Sequence, residues 1–380
     1  MLLHVRLFAG LAIASLPFTT FASPSQASSV TALSRVVVYT PPSTYTDPRV
    51  LYARVAQLPN NDILATWENY SPEPPPVYFP IYKSSDKGAT WMKLSQVEDQ
   101  GYGYGLRYQP FLYVLPEDFA SYKKGDVLLA GSSIPTNLSS TQLDIYASRD
   151  SGKTWQFLSH VAAGGEAKPN NGLTPVWEPF LLLHQGKLIY YYSDQRNSSH
   201  GQQIVHQTST DLLKWGPVVE DVAYSTYSQR PGMPTLALLP NGQYIYTYEY
   251  GGGPNPAGSG TFPVYYRLSS DPEKFSSATH HVLQATDGSV PTGSPYVVWS
   301  SAGGVNGTIV VSSGCCSEVW VNKALGAENA WQKVTTPEGA SYTRSLHVFQ
   351  EDPKSLLISG GGVLPPSTTN KVTISVMSIV

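Results

Sequence analysis

The chain has 380 residues, of which 13% are charged, and its formal net charge is −3. A charge so close to balance gives no basic face for nucleic acid and no acidic tail of the kind found in disordered chains. The 25 tyrosines and 8 tryptophans suit neutral polyhydroxylated ligands, because aromatic faces pack on C–H surfaces. They equally suit an ordinary β protein, because tyrosine is a strand former.

The N-terminus predicts a secretory signal peptide. His4 and Arg6 precede an apolar stretch over residues 7–18, and small residues follow it, which is the pattern of such peptides. We expect residues 1–22 to be the signal peptide, residues 23–34 to be a short N-terminal segment, and the protein to be secreted to the extracellular space. No later run is long and apolar enough to predict a membrane span. Four Asn-x-Ser/Thr sequons fit a glycoprotein on this route: Asn69, Asn137, Asn197 and Asn306.

Turn clusters divide the rest of the chain into hairpins. Each cluster lies between apolar runs that alternate with period two, as the residues of strands do. The clusters are at residues 59–62, 124–126, 185–187, 240–243, 305–308 and 352–354. They predict six hairpins, and long helical periodicity is absent.

A second motif recurs in step with these turns. SSDKGATW (84–91) and SRDSGKTW (148–155) both match S-x-D-x-G-x-T-W, and shorter copies without glycine follow at 209–215 and 269–275. The aromatic residue that closes each copy recurs about every 60 residues, with a remnant at Trp331. These Asp boxes predict turns in which the aspartate accepts backbone N–H groups and glycine adopts a positive φ. We expect them on the outer blade edge, which disfavours a catalytic or metal role for their aspartates.

This repeat is typical of a β-propeller. Six hairpins predict an all-β, six-bladed β-propeller with four strands per blade over residues 35–380. The first strand of each blade would line the central channel. The runs RVVVY (35–39) and KVTISV (371–376) would share one blade and so close the ring.

The segments before the turns carry polar residues beside proline in otherwise apolar surroundings. In LTPVWEPFLLL (173–183) the single charge is Glu178, which an apolar core would not accept without a partner. One blade later, Glu249 ends a second-strand run before GGGP (251–254). Two carboxylates from adjacent blades at the channel mouth can perform glycoside hydrolysis, one as nucleophile or base and the other as acid. Either can equally form a structural ion pair with an arginine such as Arg230.

The two cysteines of the chain, Cys315 and Cys316, are adjacent. In an oxidising compartment neither has another partner in the chain, so we expect a vicinal disulfide rather than two buried thiols. The eight histidines are scattered, and the pair His280-His281 lacks the spacing of a metal site. We therefore expect no metal and no cofactor.

Several motifs resemble family 93 of the glycoside hydrolases, the fungal exo-α-1,5-L-arabinanases, within the sialidase-like Asp-box propellers. The most specific is LATWENYSPEPPPVYFP (64–80) ahead of an Asp box. The others are YYSDQR (191–196), DVAY (221–224), RPGM (230–233) and YEY (248–250). The resemblance extends over nearly the whole chain after the signal peptide.

The resemblance implies an enzyme of plant cell-wall degradation. It would release arabinobiose from the non-reducing end of linear α-1,5-L-arabinan with retention of configuration. Glu178 in VWEPF matches the family's nucleophile and Glu249 in YEYGG its acid/base. Tyr342 in SYTRS falls where sialidases have their nucleophilic tyrosine, and here it would support Glu178. We expect a monomer that binds neither nucleic acid nor membrane.

The other predicted site residues are arginines that would orient hydroxyls or shift the pKa of the glutamates, and aromatic platforms for sugar. The arginines are Arg49, Arg107, Arg230 and Arg344, and the aromatic residues are Trp67, Tyr70, Trp177 and Tyr248. Trp177 suits a blade core equally well. The proline-rich loop 71–80 is a candidate wall that blocks one end of the groove, because consecutive prolines make it stiff.

Two other functions stay open. A sialidase would need an arginine triad, for which Arg49, Arg230 and Arg344 are candidates. Against it, the first blade has Pro48-Arg49-Val50 rather than a clean F/Y-R-I-P motif. The other is a carbohydrate-binding propeller without catalysis, because one fold hosts many functions.

Overall fold

The computed structural model describes residues 30–258 and 261–380. The expected signal peptide lies outside the described residues. Within them, 24 strands form six four-stranded sheets whose neighbouring strands are antiparallel, which confirms the six-bladed propeller. One short 3₁₀ helix, Glu328–Ala330, interrupts the strands, and no helix among the described residues is long and apolar enough to span a membrane.

Five blades are built from consecutive strands. Blade 1 consists of β2 (Val50–Gln57), β3 (Ile63–Asn69), β4 (Phe79–Ser84) and β5 (Met92–Val97). Blade 2 consists of β6 (Leu106–Val114), β7 (Val127–Ser133), β8 (Thr141–Ser148) and β9 (Gln156–Gly164). Blade 3 consists of β10 (Val176–His184), β11 (Lys187–Asp194), β12 (Gln203–Ser209) and β13 (Val219–Val222). Blade 4 consists of β14 (Arg230–Leu238), β15 (Tyr244–Gly251), β16 (Val264–Ser269) and β17 (His280–Val282). Blade 5 consists of β18 (Tyr296–Ser300), β19 (Thr308–Ser312), β20 (Val319–Asn322) and β21 (Trp331–Val334).

The sixth blade joins the two ends of the chain. Its strands are β22 (Arg344–Val348), β23 (Ser355–Gly360), β24 (Val372–Ser378) and, from the N-terminal part, β1 (Leu33–Tyr39). Val36 of β1 pairs with Ile374 of β24. The predicted closure of the ring is therefore confirmed, and it ties together segments more than 300 residues apart in sequence.

The two Asp boxes with glycine form the predicted turns between the third and fourth strands of blades 1 and 2. Asp86 accepts the backbone N–H of Thr90 at 2.8 Å, and the indole N–H of Trp91 donates to the carbonyl of Gly88 at 3.0 Å. Gly88 has φ +98°, a conformation that a side chain disfavours. Asp150 repeats the contact with Thr154 at 2.9 Å.

Alternate connections of an antiparallel sheet lie at the same end. The turns between first and second strands and the Asp boxes therefore share one face of the propeller, called here the Asp-box face. The connections between second and third strands and between blades lie on the opposite face, called here the site face. Strands β2 and β3 are buried along their whole length, because both surfaces of blade 1 pack against neighbouring blades.

The sequons differ in exposure. Asn137 and Asn197 are exposed and Asn306 is half-buried, so a glycan at these positions meets solvent. The side chain of Asn69 is 3% exposed in β3, and a glycan there would conflict with the packing of blade 1.

Candidate active site

A cavity of about 880 Å³ opens on the site face of the propeller. Its walls come from the starts of the first strands, the end of β15, the connections between second and third strands and the connections between blades. The lining residues are Tyr108, Gln109, Ala167, Pro169, Trp177, Glu178, Gln202, Arg230, Glu249, Thr261, Phe262, Thr292, Gly293, Ser294, Gly314, Cys315, Tyr342, Val363 and Leu364. Both predicted catalytic glutamates and Tyr342 thus line the same cavity.

A repeated backbone feature shapes this cavity. Blades 1 to 5 each have a residue with positive φ at the start of the first strand or just before it. In blades 1 to 4 the pairing with the second strand shifts register there, which is the signature of a β-bulge. The five residues are Tyr52, Gln109, Glu178, Met233 and Ser294, with φ between 45° and 64°.

The backbone N–H groups of the bulges link each blade to the one before it. Gln109 N–H donates to Glu68 Oε1 at 2.9 Å, and Glu178 N–H donates to Gln109 Oε1 at 3.2 Å. Met233 N–H donates to Glu178 Oε2 at 2.8 Å, and Ser294 N–H donates to Glu249 Oε2 at 2.7 Å. The positive φ at these bulges was not predicted from the sequence. It directs four backbone N–H groups towards polar side chains around the channel mouth.

Glu178 has the more strongly stabilised carboxylate of the predicted pair. It is 9% exposed, and Oε2 accepts hydrogen bonds from Met233 N–H and from Ser193 Oγ, the latter at 2.6 Å. Burial raises the pKa of Glu178, while these two hydrogen bonds and the positive charges of Arg230 and Arg54 oppose the rise. A carboxylate in an apolar strand needs a partner, and Glu178 finds it in several hydrogen-bond donors rather than in one salt bridge.

Glu249 is held in a different electrostatic environment. It is half-buried at the end of β15. Burial and the negative charge of Glu178 raise the pKa of Glu249 to about 8, against the opposing hydrogen bond from Ser294 and the charge of Arg230. Near neutral pH Glu249 therefore keeps its proton and can donate it.

Sequence reasoning missed a third carboxylate, Glu68. It is 3% exposed and accepts Tyr70 Oη–H at 2.7 Å and the N–H of Gln109. Burial raises its pKa to about 7, although these hydrogen bonds and the charge of Arg54 act in the opposite direction. The repeat could have predicted Glu68, because it occupies the same position in blade 1 as Glu249 does in blade 4. Glu68 pairs with Leu51, and Glu249 pairs with Gly232.

The same position holds serine in blades 2 and 3. Ser132 Oγ donates to Gln109 Oε1 at 3.2 Å, as Ser193 Oγ does to Glu178. Blades with a polar residue at the bulge therefore carry serine on the second strand, and blades 1 and 4, with Tyr52 and Met233 at the bulge, carry glutamate.

Of the four predicted arginines, Arg230 lines the cavity. Its guanidinium donates to Oε1 of both Gln195 and Gln202 at 2.8 Å and to the carbonyl of Gly201 at 3.1 Å. This network fixes a positive charge beside both glutamates. Sequence reasoning did not single out Arg54, which is 3% exposed and lies outside the cavity lining. Its guanidinium lies 3.9 Å from the ring centroid of Tyr52, and its charge opposes the rise in the pKa of Glu178 and Glu68.

None of the other three arginines lines the cavity, so the structure does not bring these predicted substrate-binding residues to the site. Arg49 donates to the carbonyl of Ser43 and does not line the cavity. Arg107 pairs with Glu73 at 2.7 Å. Arg344 is 0% exposed and donates to the carbonyls of Ser317 and Glu318. Arg107 and Arg344 are held by acceptors within the protein. Because Arg49 and Arg344 both lie outside the cavity lining, the arginine triad that a sialidase would need is not assembled.

The predicted aromatic platforms divide in the same way. Trp67 and Tyr248 are 0% exposed, so their prediction as sugar platforms is wrong. Each directly precedes a glutamate on a regular strand, and successive side chains point to opposite faces. Trp67 therefore stacks on Tyr39 at 5.2 Å, and Tyr248 Oη contacts Tyr224 Oη at 2.8 Å. Trp177 does line the cavity, because the bulge interrupts the alternation before Glu178.

Two tyrosines act close to the glutamates. Tyr70 is half-buried and is not among the residues that line the cavity; its hydroxyl donates to Glu68, and its ring centroid lies 6.4 Å from that of Tyr108. Tyr342 lines the cavity. Burial and the charges of Glu178 and Glu249 raise its pKa well above the ordinary value, so Tyr342 is a neutral hydroxyl.

The predicted vicinal disulfide is present between Cys315 and Cys316. Cys315 is exposed and lines the cavity. Its N–H donates to the carbonyl of Thr292 at 3.0 Å, and Gly314 N–H donates to the carbonyl of Gly293 at 2.8 Å. The disulfide segment therefore braces the backbone that presents Ser294 N–H to Glu249.

The proline-rich loop 71–80 lies beside blade 2 and is anchored there. Glu73 accepts Arg107 Nη2 at 2.7 Å and Thr136 Oγ1 at 2.7 Å. None of its residues lines the cavity, so its predicted role as a wall is not seen in this structure.

Over residues 30–258 and 261–380, no group of three His, Cys, Asp or Glu side chains could hold a metal ion.

Over 92% of its length, the chain resembles two fungal enzymes of known structure. The family 93 α-L-arabinofuranosidase of Fusarium graminearum, solved with arabinobiose, is 58% identical with a TM-score of 0.90, over 92% of this chain and 98% of that one. The α-L-arabinanase of Penicillium chrysogenum, also solved with arabinobiose, is 59% identical with a TM-score of 0.88, over the same shares of the two chains. A Hadza microbial sialidase at 14% identity and a TM-score of 0.59 shares the fold alone. No family model and no curated sequence matches.

Proposed function

The chain belongs to family 93 of the glycoside hydrolases, and from that premise we propose that it releases arabinobiose from the non-reducing end of linear α-1,5-L-arabinan with retention of configuration. The observation that carries this proposal is one cavity that holds two glutamates in different electrostatic environments, Glu178 with two hydrogen-bond donors on one oxygen and Glu249 with its pKa raised to about 8. The arabinobiose complexes of the Fusarium and Penicillium relatives support the substrate class. A cavity of about 880 Å³ lies within the range of about 300–1,000 Å³ typical of small-ligand sites.

Glu178 is the nucleophile in this proposal. Its carboxylate accepts two hydrogen bonds, from Ser193 and Met233, which fix an oxygen and favour the charged form. It attacks C1 of the arabinofuranosyl unit, and the bond from C1 to the bridging oxygen breaks. A covalent glycosyl-enzyme ester results, as in other retaining glycosidases.

Glu249 is the acid and then the base. With a pKa raised to about 8, it carries the proton that the leaving oxygen takes when the glycosidic bond breaks. It is then ionised, and it removes a proton from water as that water attacks C1. The ester to Glu178 is released, arabinobiose leaves, and both carboxyl groups return to their initial states.

Tyr342 and Arg230 assist the pair. The neutral hydroxyl of Tyr342 can donate a hydrogen bond to charge that develops near Glu178. Arg230 lines the cavity with its guanidinium held by Gln195 and Gln202, so it can bind a sugar hydroxyl without a large loss of side-chain entropy.

Product identification tests the proposal. The protein is incubated with debranched linear arabinan, arabino-oligosaccharides and a sialyl reporter, and the products are separated by chromatography. Arabinobiose as the initial product supports the proposal, and NMR of the nascent anomer reports retention. Release of sialic acid, or binding of arabinan without cleavage, would overturn it in favour of a sialidase or a binding propeller.

Secretion as a monomer is proposed on separate grounds. The bonded pair Cys315–Cys316 and the exposed sequons Asn137 and Asn197 suit an oxidising secretory route. Expression in a eukaryotic host tests it: the protein should accumulate in the medium, lack residues 1–22 by N-terminal sequencing, and elute at the size of one chain. Retention in the cells would contradict it.

A further inference from the structure

A surface loop on the site face carries two exposed, stacked tyrosines that the proposed mechanism does not use. Residues 98–105, called here the tyrosine loop, connect β5 of blade 1 to β6 of blade 2. Tyr102 is 49% exposed and Tyr104 is 36% exposed. Their ring centroids are 5.1 Å apart with planes only 12° from parallel, and the ring of His160 stacks on Tyr102 at 4.4 Å. Three rings thus form one continuous stack at the surface.

The tyrosine loop is held rigidly by a single carboxylate. Asp99 accepts the backbone N–H groups of Gly101, Tyr102, Tyr104 and Gly105, at 2.9 to 3.1 Å, and the hydroxyl of Ser133 at 2.5 Å. Burial would raise the pKa of Asp99, but these hydrogen bonds outweigh it and lower the pKa below its ordinary value. The carboxylate is therefore ionised at neutral pH and fixes both tyrosine backbones.

A second set of contacts ties the loop to blade 2. Gln100 Nε2 donates to the carbonyl of Trp155 at 2.9 Å, and Gln100 Oε1 accepts the N–H of Phe157 at 2.9 Å. At Gly101 a β-carbon would lie 2.8 Å from Cε1 of His160, so only glycine lets the loop approach the stack this closely. An exposed pair of rings that is fixed before any ligand arrives loses little entropy on binding.

The loop also leads directly into the cavity. Tyr108, four residues after Tyr104, lines it. Four residues span at most about 14 Å, so Tyr104 lies within a few sugar lengths of the cavity wall.

We infer that Tyr102 and Tyr104 form a second carbohydrate-binding site, which holds a stretch of linear arabinan outside the catalytic cavity. This inference rests on the proposed function for the choice of polymer. Tyr102 lies between Tyr104 and His160 in the stack, so the flat face that can pack on the C–H surface of a neutral sugar is the outer face of Tyr104. The phenolic hydroxyls of both tyrosines are available to sugar hydroxyls. The site recruits polymer to the face that carries the cavity and does not take part in bond cleavage.

Binding is measured first, apart from cleavage. In a Glu178→Gln background, native gel electrophoresis through linear arabinan compares the parent with the Tyr102→Ala/Tyr104→Ala double variant. Tyr102→Phe/Tyr104→Phe keeps the rings, and Leu213→Ala removes an exposed apolar side chain (61% exposed) in the Asp box of blade 3, on the opposite face. We expect the alanine pair to weaken retardation roughly three- to tenfold, with the phenylalanine pair and Leu213→Ala like the parent.

Kinetics in the active background then separate the two sites. The alanine pair should raise KM for polymeric arabinan by a similar factor and leave kcat and KM for arabinotetraose unchanged, with an unchanged melting temperature. Equal retardation of parent and alanine pair would overturn the inference, as would an equal loss on tetraose and polymer. A changed elution volume in gel filtration would instead identify the rings as an interface between copies and overturn it too. If the parent cleaves neither substrate, the proposed function fails, while the retardation comparison still decides the binding site.

Discussion

The backbone N–H of Met233 donates a hydrogen bond of 2.8 Å to Oε2 of Glu178, across the boundary between blades 3 and 4. Both residues have a positive φ at the bulge of their first strands. The contact therefore comes from a backbone conformation that the blades repeat. Because hydrogen bonds of this kind favour the ionised carboxylate, Glu178 is prepared for attack, and Glu249, with its raised pKa, for proton donation.

Substitution of the two glutamates should separate their roles. Glu178→Gln and Glu249→Gln should each lower kcat on arabinan by roughly 10²–10⁴ or more, with nearly unchanged melting temperatures, because glutamine keeps the shape of each side chain. An aryl arabinobioside with a good leaving group needs no proton, so Glu249→Ala should still release the phenol in a burst.

Azide distinguishes the assignments further. It needs no general base, so it should restore turnover of Glu249→Ala and give a glycosyl azide of retained configuration. Glu178→Ala serves as the control: azide should attack C1 directly in place of the missing nucleophile and give a glycosyl azide of inverted configuration. The reverse pattern in the two variants would exchange the roles of nucleophile and acid/base.

Activity should follow a bell-shaped dependence on pH. Glu249 must be protonated to act as acid, so kcat/KM should fall as pH rises through about 8, the pKa to which burial and Glu178 raise it. Glu178 must be ionised, so the acidic limb should lie above the ordinary glutamate value of 4.5. In Glu249→Gln, measured with the aryl substrate, the alkaline limb should disappear. Persistence of that limb would assign it to another group.

Glu249 should also make stability depend on pH. Its folded-state pKa of about 8 exceeds the ordinary 4.5, so the folded protein binds this proton more tightly than the unfolded chain. The resulting stabilisation is fully present below about 4.5 and is lost as pH rises through about 8. Relative to Glu249→Gln, the parent should lose a few °C in melting temperature over this range. Parallel melting curves of parent and variant would contradict the raised pKa.

Arg230 and Arg344 should respond oppositely to substitution. Arg230→Lys removes the forked contact with Gln195 and Gln202 beside the cavity, and should reduce kcat/KM roughly tenfold with a small change in stability. Arg344→Met leaves the carbonyls of Ser317 and Glu318 without their donor, at about 1–3 kcal/mol for each buried group left unpaired. Thermal denaturation and KM together check this contrast; a raised KM in a fully stable Arg344→Met would return Arg344 to the site.

Reduction of Cys315–Cys316 should impair catalysis. The segment holds the carbonyls of Thr292 and Gly293 in place, and the next residue, Ser294, donates to Glu249. We expect a dithiol reductant to lower kcat several-fold without unfolding the protein, since blade 5 keeps its strands. The Cys315→Ser/Cys316→Ser variant should be equally impaired before treatment and insensitive to the reductant. An unaffected parent would show that the backbone contacts suffice.

Local pattern was enough to predict most of the scaffold. The turn clusters, the Asp boxes and the closing pair of terminal strands depend on residues close in sequence or on strict alternation, and all six blades were predicted from them. The same reasoning placed Glu178, Glu249 and Arg230 at the channel mouth, because equivalent positions of a repeat share a location. The role of Tyr342 came from the resemblance to sialidases, and Trp177 suited a blade core equally well; all five residues line one cavity.

The rest of the site depends on which way a side chain points. Trp67 and Glu68 are neighbours on a regular strand, so one must enter the blade core and the other the channel, and the sequence does not say which. Trp177 and Glu178 escape this alternation because the bulge at Glu178, with φ 64°, turns both to the cavity. Arg344 and Arg54 illustrate the same point for charge, since acceptors from distant segments hold both: Arg344 donates to the carbonyls of Ser317 and Glu318, and Arg54 donates to Thr343 Oγ1.

The sequence by itself determined the number of blades, the ring closure, the vicinal cysteines and the two carboxylates, because each follows from spacing and residue type. Only the tertiary structure decided the third carboxylate, the burial of Trp67 and Tyr248, and the difference between Glu178 and Glu249. The physical reason is that a carboxyl group's protonation and a side chain's direction are set by groups from other blades, brought within hydrogen-bond distance only when the ring closes.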